Sequence, residues 1–360
     1  MRKEIQLYEY QKDMLRQIED AFVTHPLSVM VQMPTGTGKT VLISEVVKKE
    51  ERRVKNPCVW IVVHRRELVE QIKETLERRL GTSLDAERDK SSVIEVFSIQ
   101  WLSRHYQELD EQPTLIVIDE AHHAVAKTYE EVMNAYPNAK KLGVTATPCR
   151  LTKRGFTDLF EVLLCSHSIP KFIKEGYLSD FDYISLNPNS EDQKKIDGLE
   201  KRAADGDYSI AEMQEVLDCK PSIERLYQTI KDFAAGKKGI VYAINIEHAE
   251  HIAEYYREQG LAAVAISSKT PKEERRRMIE LFKEGSASDK PYCASLSLIT
   301  TVGQDETPKG IQILVNVDLF GEGFDCPDVE FIQLARPTLS LAKCKHPMQA
   351  VLYKTNKPKS

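Results

Sequence analysis

The chain reads MPTGTGKT at residues 33–40, directly after the apolar run Val29-Met30-Val31. A short apolar run of this kind is typical of a buried strand in a parallel sheet. The two glycines allow a tight turn in which successive backbone N–H groups point inward, toward phosphate oxygens. The segment therefore predicts a phosphate-binding loop between a strand and a helix.

Individual residues of this loop have distinct expected roles. We expect Lys39 to reach the β- and γ-phosphates of a nucleotide, and the Thr40 hydroxyl to bind Mg²⁺. The predicted nucleotide-binding positions are Thr35, Gly36, Thr37, Gly38, Lys39 and Thr40. Met33 stands where the strict pattern has a glycine, so the loop alone is an imperfect match. Its meaning depends on a second segment.

That second segment is Asp119-Glu120-Ala121-His122, which follows the apolar run at residues 115–118. Open α/β sheets bind ligands at the carboxyl ends of their strands, so both segments are expected at one edge of the sheet. We expect Asp119 to bind Mg²⁺ together with Thr40, and Glu120 to orient or deprotonate the attacking water. The pair predicts a nucleoside triphosphate site in which Glu120 and Lys39 are catalytic.

The composition indicates an ordinary globular protein with 41% hydrophobic and 29% charged residues. A length of 360 residues is enough for roughly two domains. The chain has no apolar run as long as a membrane span, and its polar start is unlike a signal peptide. We therefore expect a cytoplasmic protein without a membrane partner.

The cysteine pattern and the net charge argue against several kinds of site and surface. The seven cysteines form no C-x-x-C pair, so we expect reduced thiols, no disulfide framework and no structural metal. The net charge of −5 gives no overall basic surface, although a local basic groove is compatible with it.

Strand-like runs alternate with helical segments in both halves of the chain, which predicts two parallel α/β sheets. The predicted strands are residues 29–31, 58–63, 93–97, 115–118, 142–144, 239–243, 262–266, 311–317 and 329–334. We expect a first domain at 1–186, a helical connection at 187–222, a second domain at 223–340 and a disordered basic tail at 341–360. Residues 285–309 have the composition of an irregular surface segment.

Taken in order, these motifs resemble those of a superfamily 2 helicase of the DEAH-containing, type III restriction enzyme-like branch. The stretch at residues 7–11, LYEYQ, is similar to the upstream glutamine motif of that family. The resemblance implies two RecA-like parallel-sheet domains in tandem, the core of a P-loop NTPase helicase. It also implies ATP as the nucleotide and Gln11 as the residue that reads the adenine edge.

Further motifs imply contacts with nucleic acid. Residues 63–68 resemble motif Ia and residues 97–100 occupy the place of motif Ib, which implies that Arg65, Arg66 and Ser98 contact the nucleic-acid backbone. From the residues alone, Arg65 and Arg66 could equally be a solvated helix start.

The run at residues 144–148, VTATP, matches motif III of the family. The match implies that Thr145 and Thr147, together with His122, couple the nucleotide site to the nucleic-acid track. Threonine also has a high propensity for β-strands, so these two residues have a purely structural interpretation as well.

Residues 321–327, GEGFDCP, resemble motif V, which implies that Gly323 and Asp325 lie near the nucleotide. Motif VI, whose arginines reach the γ-phosphate, is expected next, yet residues 338–360 contain neither arginine nor glycine. Either the chain is a truncated or frame-shifted member of the family, or another arginine, with Arg336 the nearest, has taken the role. Loss of an arginine finger would leave nucleotide binding largely intact and nearly abolish turnover.

The motif set predicts an ATP-dependent helicase or translocase that uses ATP and Mg²⁺ and acts on nucleic acid, with DNA favoured over RNA. Its activity is expected to be impaired by the missing motif VI. The alternative is a non-catalytic, ATP-switched clamp on nucleic acid. A third hypothesis, a small-molecule kinase, does not account for motifs Ia, III and V.

Overall fold

A computed structural model describes residues 6–24, 28–64, 66–81, 84, 93–124, 127–147, 159–203, 206–284, 310–319, 326 and 328–339. The chain forms two compact units, Met1–Leu178 and Ser179–Ser360. Each unit carries helices around a parallel sheet, so the predicted fold class is confirmed. The structure divides the chain at Leu178, ahead of the boundary that we predicted at residue 186.

The first unit alternates strands and helices along most of its length. Its strands are β1 Ser28–Gln32, β2 Cys58–Val63, β3 Val93–Ser98, β4 Leu115–Asp119, β5 Lys140–Thr145 and β6 Val162–Cys165. Its helices are α1 Glu9–Thr24, α2 Lys39–Arg53, α3 Glu67–Leu80, α4 Ile99–His105, α5 Lys127–Ala135 and α6 Ile169–Lys174, with a 3₁₀ turn at Ala121–His123.

The six strands lie in the order β3-β2-β4-β5-β1-β6 and all pairs are parallel. The central strands are almost continuously apolar and buried, as expected for a sheet covered by helices on both faces. In register, Gln32 lies beside Thr145, and Asp119 lies beside Val144. The carboxyl ends of β1, β5 and β4 are therefore aligned.

The second unit has a smaller sheet in the order β10-β7-β9-β8. Its strands are β7 Gly239–Tyr242, β8 Ala263–Ile266, β9 Ile313–Asn316 and β10 Phe331–Leu334. Its helices are α7 Glu191–Asp197, α8 Ile210–Leu217, α9 Lys220–Phe233, α10 Ile246–Glu258 and α11 Lys272–Glu284. Alternate residues of β7 enter two separate cores, Val241 on one face and Ile240 with Tyr242 on the other.

The segment predicted as a connection contains α7, α8 and the start of α9, and it packs within the second unit. Leu199, Met213 and Leu217 form a small core with Ile244, which follows β7. A polar contact fixes α7 to α9, because the Arg225 guanidinium donates to both oxygens of the Asp192 carboxylate at 2.6 Å. This carboxylate is ion-paired at its buried position.

Candidate nucleotide and nucleic-acid site

The predicted phosphate-binding loop connects β1 to α2, and two of its glycines have a left-handed backbone. The φ angles are 83° at Gly36 and 85° at Gly38, a region that glycine enters without steric cost. A Cβ at position 38 would lie 2.5 Å from Nε2 of Gln11. Gly38 is therefore required both by its conformation and by close packing.

Two side chains of α1 hold the turn of the loop. The Tyr10 hydroxyl and the Gln11 amide both donate to the Thr37 carbonyl, at 2.9 and 3.1 Å. The amide oxygen of Gln11 accepts from the Tyr8 N–H at 3.0 Å, and the Gln11 side chain is buried. Gln11 thus braces the phosphate-binding loop, while its contact with adenine stays a prediction. The role of Tyr10 was not recognised in the sequence, because a tyrosine on a helix has many ordinary uses.

The Thr37 side chain points back into its own loop. Its hydroxyl donates to the Pro34 carbonyl at 2.6 Å, and the residue is almost fully buried. The Met33 N–H donates to the Thr145 carbonyl at 2.9 Å, which ties the start of the loop to the end of β5. Methionine at position 33 is completely buried and is accommodated as part of the core.

The acidic segment begins at the carboxyl end of β4. Asp119 is half-buried and its Oδ1 accepts from the Glu120 N–H at 3.0 Å. Glu120 has a φ of 50°, an uncommon value for a residue with a side chain. A side-chain-bearing residue keeps such a backbone conformation only where the surrounding structure enforces it. Conformations of this kind are concentrated at functional sites.

Lys39 and Glu120 form a direct ion pair. Nζ of Lys39 lies 2.7 Å from Oε1 of Glu120, and each side chain is 10% exposed. Oγ1 of Thr35 is also 3.5 Å from this ammonium group. The structure therefore brings together the two residues predicted to be catalytic, from strands separated by β5 in the sheet.

A line of contacts continues from Glu120 to β5. Nδ1 of His122 lies 3.5 Å from Oε2 of Glu120 and 3.0 Å from Oγ1 of Thr145. The same threonine oxygen accepts from the Thr147 N–H at 3.1 Å. The three residues predicted to couple the nucleotide site to nucleic acid are thus in contact with one another, and their coupling role stays a prediction.

Gly143, on β5, lets the acidic segment pack against the sheet. A Cβ at this position would lie 2.5 Å from Cζ of Phe160 and 2.8 Å from Cβ of Ala121. Our sequence analysis did not single out Gly143. A glycine inside a strand pattern is nevertheless a sign of close approach and could have indicated it.

The predicted nucleic-acid residues lie at the carboxyl end of β3 and after β2. Ser98 is buried, and its hydroxyl caps α4 by accepting from the Trp101 N–H at 3.4 Å. Arg66 is exposed at the start of α3, and Arg65 lies outside the described residues. The Gln100 amide donates to the His64 carbonyl at 2.6 Å, which ties the two segments together. Contact with a nucleic-acid backbone stays a prediction for all three predicted residues.

In the second unit, Gly323 and Asp325 lie outside the described residues, as do segment 285–309 and the tail at 341–360. Arg336 is buried, and its Nη1 donates to both oxygens of Asp318 at 3.1 Å. Its Nη2 lies 3.8 Å from Asp207. These contacts give the arginine two carboxylate neighbours inside its own unit.

The loop fits the triphosphate of a nucleotide, and the acidic segment fits its Mg²⁺. Lys39 is the cation at the loop, and the glycine turn leads directly into the 15-residue helix α2, whose positive dipole end favours phosphate. Thr40 and Asp119 offer the oxygen ligands that Mg²⁺ prefers. Within the described residues, no group of three or more His, Cys, Asp or Glu side chains is arranged to hold a metal by itself. None of the described helices is long and apolar enough to cross a membrane.

Comparison with known proteins agrees with this geometry. Residues 4–150 match the family described as type III restriction enzyme, res subunit. Residues 221–349 match the helicase conserved C-terminal domain. The chain belongs to the superfamily 2 helicases. Its two units correspond to the two domains that these family models describe.

Two relatives are longer than the segment over which they match this chain. A 51.5 kDa protein of a Lactococcus phage is 32% identical over 87% of this chain and 60% of its own length. The DNA 3′-5′ translocase XPB2 of Sulfurisphaera tokodaii is 22% identical over 91% of this chain and 74% of its own length. Across the first three relatives, this helicase-family chain spans 60%, 47% and 51% of their lengths.

Solved structures share the fold of tandem RecA-like domains. The ATP-dependent Type ISP restriction-modification enzyme LlaBIII bound to DNA matches 98% of this chain and 27% of its own, with a TM-score of 0.67 and 13% identity. The helicase domain of Pyrococcus furiosus Hef matches 96% of this chain and 92% of its own, with a TM-score of 0.51 and 14% identity.

Proposed function

We propose that this helicase-family chain couples hydrolysis of ATP with Mg²⁺ to movement along DNA or to separation of its strands. The observation that carries the proposal is the line of contacts from Lys39 through Glu120 and His122 to Thr145. It joins the lysine proposed to bind phosphate to the strand end of motif III, which the family resemblance implies is coupled to the nucleic-acid track. A change at the γ-phosphate would therefore reach Thr145 through only two intermediate side chains.

Each residue of the site has a proposed part in this reaction. Lys39 binds the phosphates, and Thr40 with Asp119 holds Mg²⁺. When bound, the metal neutralises charge on the phosphate oxygens. Glu120 orients the attacking water and accepts its proton. Gly323 and Asp325 remain proposed nucleotide-binding residues, on the resemblance of their segment to motif V.

We propose DNA rather than RNA as the partner. The matched relatives include a DNA translocase and a restriction enzyme solved with DNA. Arg65, Arg66 and Ser98 are proposed to contact the phosphate backbone, which positions a protein but reads no sequence. Binding is therefore expected to be non-specific and strongly salt-dependent. A cytoplasmic location remains part of the proposal.

One observation favours the second candidate, a clamp on nucleic acid that is switched by ATP binding and does not hydrolyse ATP. The second family match extends through residue 349, yet residues 338–349 contain no arginine to complete motif VI. Arg336 is already engaged by Asp318. Without a finger, turnover is expected to fall by about 10³–10⁵.

ATP turnover measured with and without DNA and RNA separates the two functions. Turnover stimulated by DNA supports the helicase or translocase. Binding of ATP and DNA without stimulated turnover supports the clamp. Grafting a Q-x-x-G-R-x-x-R segment with its following helix after Thr338 should then raise turnover by orders of magnitude.

Anisotropy of labelled DNA and RNA at increasing salt tests the proposed partner. We expect DNA binding whose log affinity falls with log salt at about −0.7 to −0.9 per neutralised phosphate. Failure to bind any strand type at low salt would contradict both candidate functions.

A further inference from the structure

An aromatic cluster lies directly behind the phosphate-binding loop. Its four rings belong to Tyr8, Tyr10, Phe172 and Tyr177. Tyr10 is central, with ring centroids 4.7 Å from Tyr177, 4.9 Å from Phe172 and 5.7 Å from Tyr8. The contacts with Tyr177 and Phe172 are edge-to-face, a favourable arrangement for aromatic pairs.

A hydrogen bond from Tyr10 joins this cluster to the phosphate-binding loop. The Tyr10 hydroxyl donates to the Thr37 carbonyl at 2.9 Å, between the two glycines that give the loop its shape. A tyrosine hydroxyl is protonated at neutral pH and can donate, and burial raises the pKa of Tyr10 further. With the ring held on three sides, the position of the hydroxyl follows the position of the ring.

At its other side, the cluster contains a residue from the end of the first unit. Tyr177 directly precedes Leu178, the last residue of that unit. The Phe172 carbonyl accepts from the N–H groups of both Tyr177 and Leu178, at 2.9 and 3.3 Å. The chain then runs through Phe181 and Tyr183, which are 41% and 67% exposed.

We propose that Tyr10 is a positioning residue for the phosphate-binding loop, and that the aromatic cluster links nucleotide occupancy to the segment at residues 179–189. This inference rests on the proposed nucleotide site. Binding of a triphosphate fixes the loop around Thr37, the hydrogen bond fixes Tyr10, and ring packing fixes Tyr177. The segment at residues 179–189 then becomes less mobile when nucleotide is bound.

Nucleotide affinity tests the first half of the proposal. Tyr10→Phe keeps the ring and removes the hydroxyl, so Mg·ATP should bind about three- to tenfold more weakly. Tyr177→Phe is the matched control, because the Tyr177 hydroxyl makes no hydrogen bond to the described residues. Its affinity should equal that of the wild type, and thermal unfolding checks that both variants are folded at the temperature of the titration. An unchanged affinity in Tyr10→Phe overturns the positioning role.

Limited proteolysis tests the second half. Chymotrypsin should cut at Phe181 and Tyr183 more slowly when the wild type holds a non-hydrolysable ATP analogue with Mg²⁺. In Tyr177→Leu, which keeps an apolar side chain but loses the ring contacts, the analogue should bind and no longer slow the cleavage. Slowing that persists in Tyr177→Leu overturns the link. If the wild type fails to bind the analogue, the proposed function itself fails, and that result is seen by calorimetry before any variant is compared.

Discussion

Glu120 holds an uncommon backbone conformation and a buried ion pair at the same position. Its φ is 50°, and its carboxylate lies 2.7 Å from the Lys39 ammonium group. The pair occupies the lysine in the structure, although the same lysine is expected to bind phosphate. We therefore expect the carboxylate to compete with a nucleotide for Lys39, in addition to its part in the proposed hydrolysis.

Glu120→Gln should separate these two effects. The amide no longer holds Lys39 by charge, so we expect Mg·ATP to bind about three- to tenfold more tightly. Turnover should fall by about 10²–10⁴, because the group that accepts the proton is gone. Calorimetry and steady-state turnover measure the two quantities, with exposed Glu70→Gln as the matched control. Weaker binding in Glu120→Gln would contradict the competition.

At the scale of single elements, Gly143 sets how closely the acidic segment approaches β5. Gly143→Ala would force Phe160 or Ala121 to move, since the new methyl group lies within 2.8 Å of both. We expect a loss of about 1–3 kcal/mol in the free energy of unfolding. Gly198→Ala is the control, because its Cβ would meet only carbonyl oxygens at 3.5 Å. Urea denaturation measures both variants, and equal stability in the two would show that the close packing has no cost.

His248, in the first turn of α10, makes the second unit sensitive to acid. Burial lowers the pKa of His248 to about 4, partly opposed by Asp218, and His251 lowers it further. The unfolded chain binds more protons below its ordinary value of about 6.5, so stability falls as the pH drops from 6.5 toward 4. We expect a loss of about 2 kcal/mol at pH 5 relative to pH 7.5 from this residue.

Urea denaturation at pH 7.5 and pH 5 measures this effect, and His248→Gln should remove most of it. The amide of the introduced glutamine does not titrate, and its oxygen can still accept a hydrogen bond. The exposed His251→Gln variant is the control for the sign of the effect. A hydrogen bond to Asp218 raises the pKa of His251, so its own contribution to stability increases as the pH falls. An equal loss in the free energy of unfolding between pH 7.5 and pH 5 in His248→Gln and in the wild type would contradict the assignment.

Local patterns were sufficient to predict most strands and both carboxyl-edge motifs. The runs at β1, β2 and β4 are apolar throughout and lead directly into residues with distinctive chemistry. By contrast, β6 is a four-residue, partly exposed edge strand, whose pairing with β1 depends on distant contacts. Tyr10 and Arg336 were underdetermined for the same reason, because their partners lie far away in the chain.

The whole molecule consists of two α/β units. Among the described residues, those with a proposed part in ATP hydrolysis lie in the first unit. The family assignment explains the order of the motifs, and the geometry explains why three strand ends carry them. In the second unit, the described acidic and basic groups include Arg336 with Asp318 and Arg225 with Asp192. Both ion pairs lie within the second unit. The central claim is therefore that the first unit binds a nucleoside triphosphate between Lys39 and Asp119.

Titration calorimetry of Mg·ATP against the wild type and Lys39→Ala tests that claim most directly. Lys48→Ala is the matched control, since this lysine lies on the same helix and forms a half-buried ion pair with Glu45. We expect the wild type and Lys48→Ala to bind with equal affinity, and Lys39→Ala to bind at least about tenfold more weakly, because a charge-assisted contact with phosphate is lost. Equal affinity in wild type and Lys39→Ala would contradict the nucleotide site.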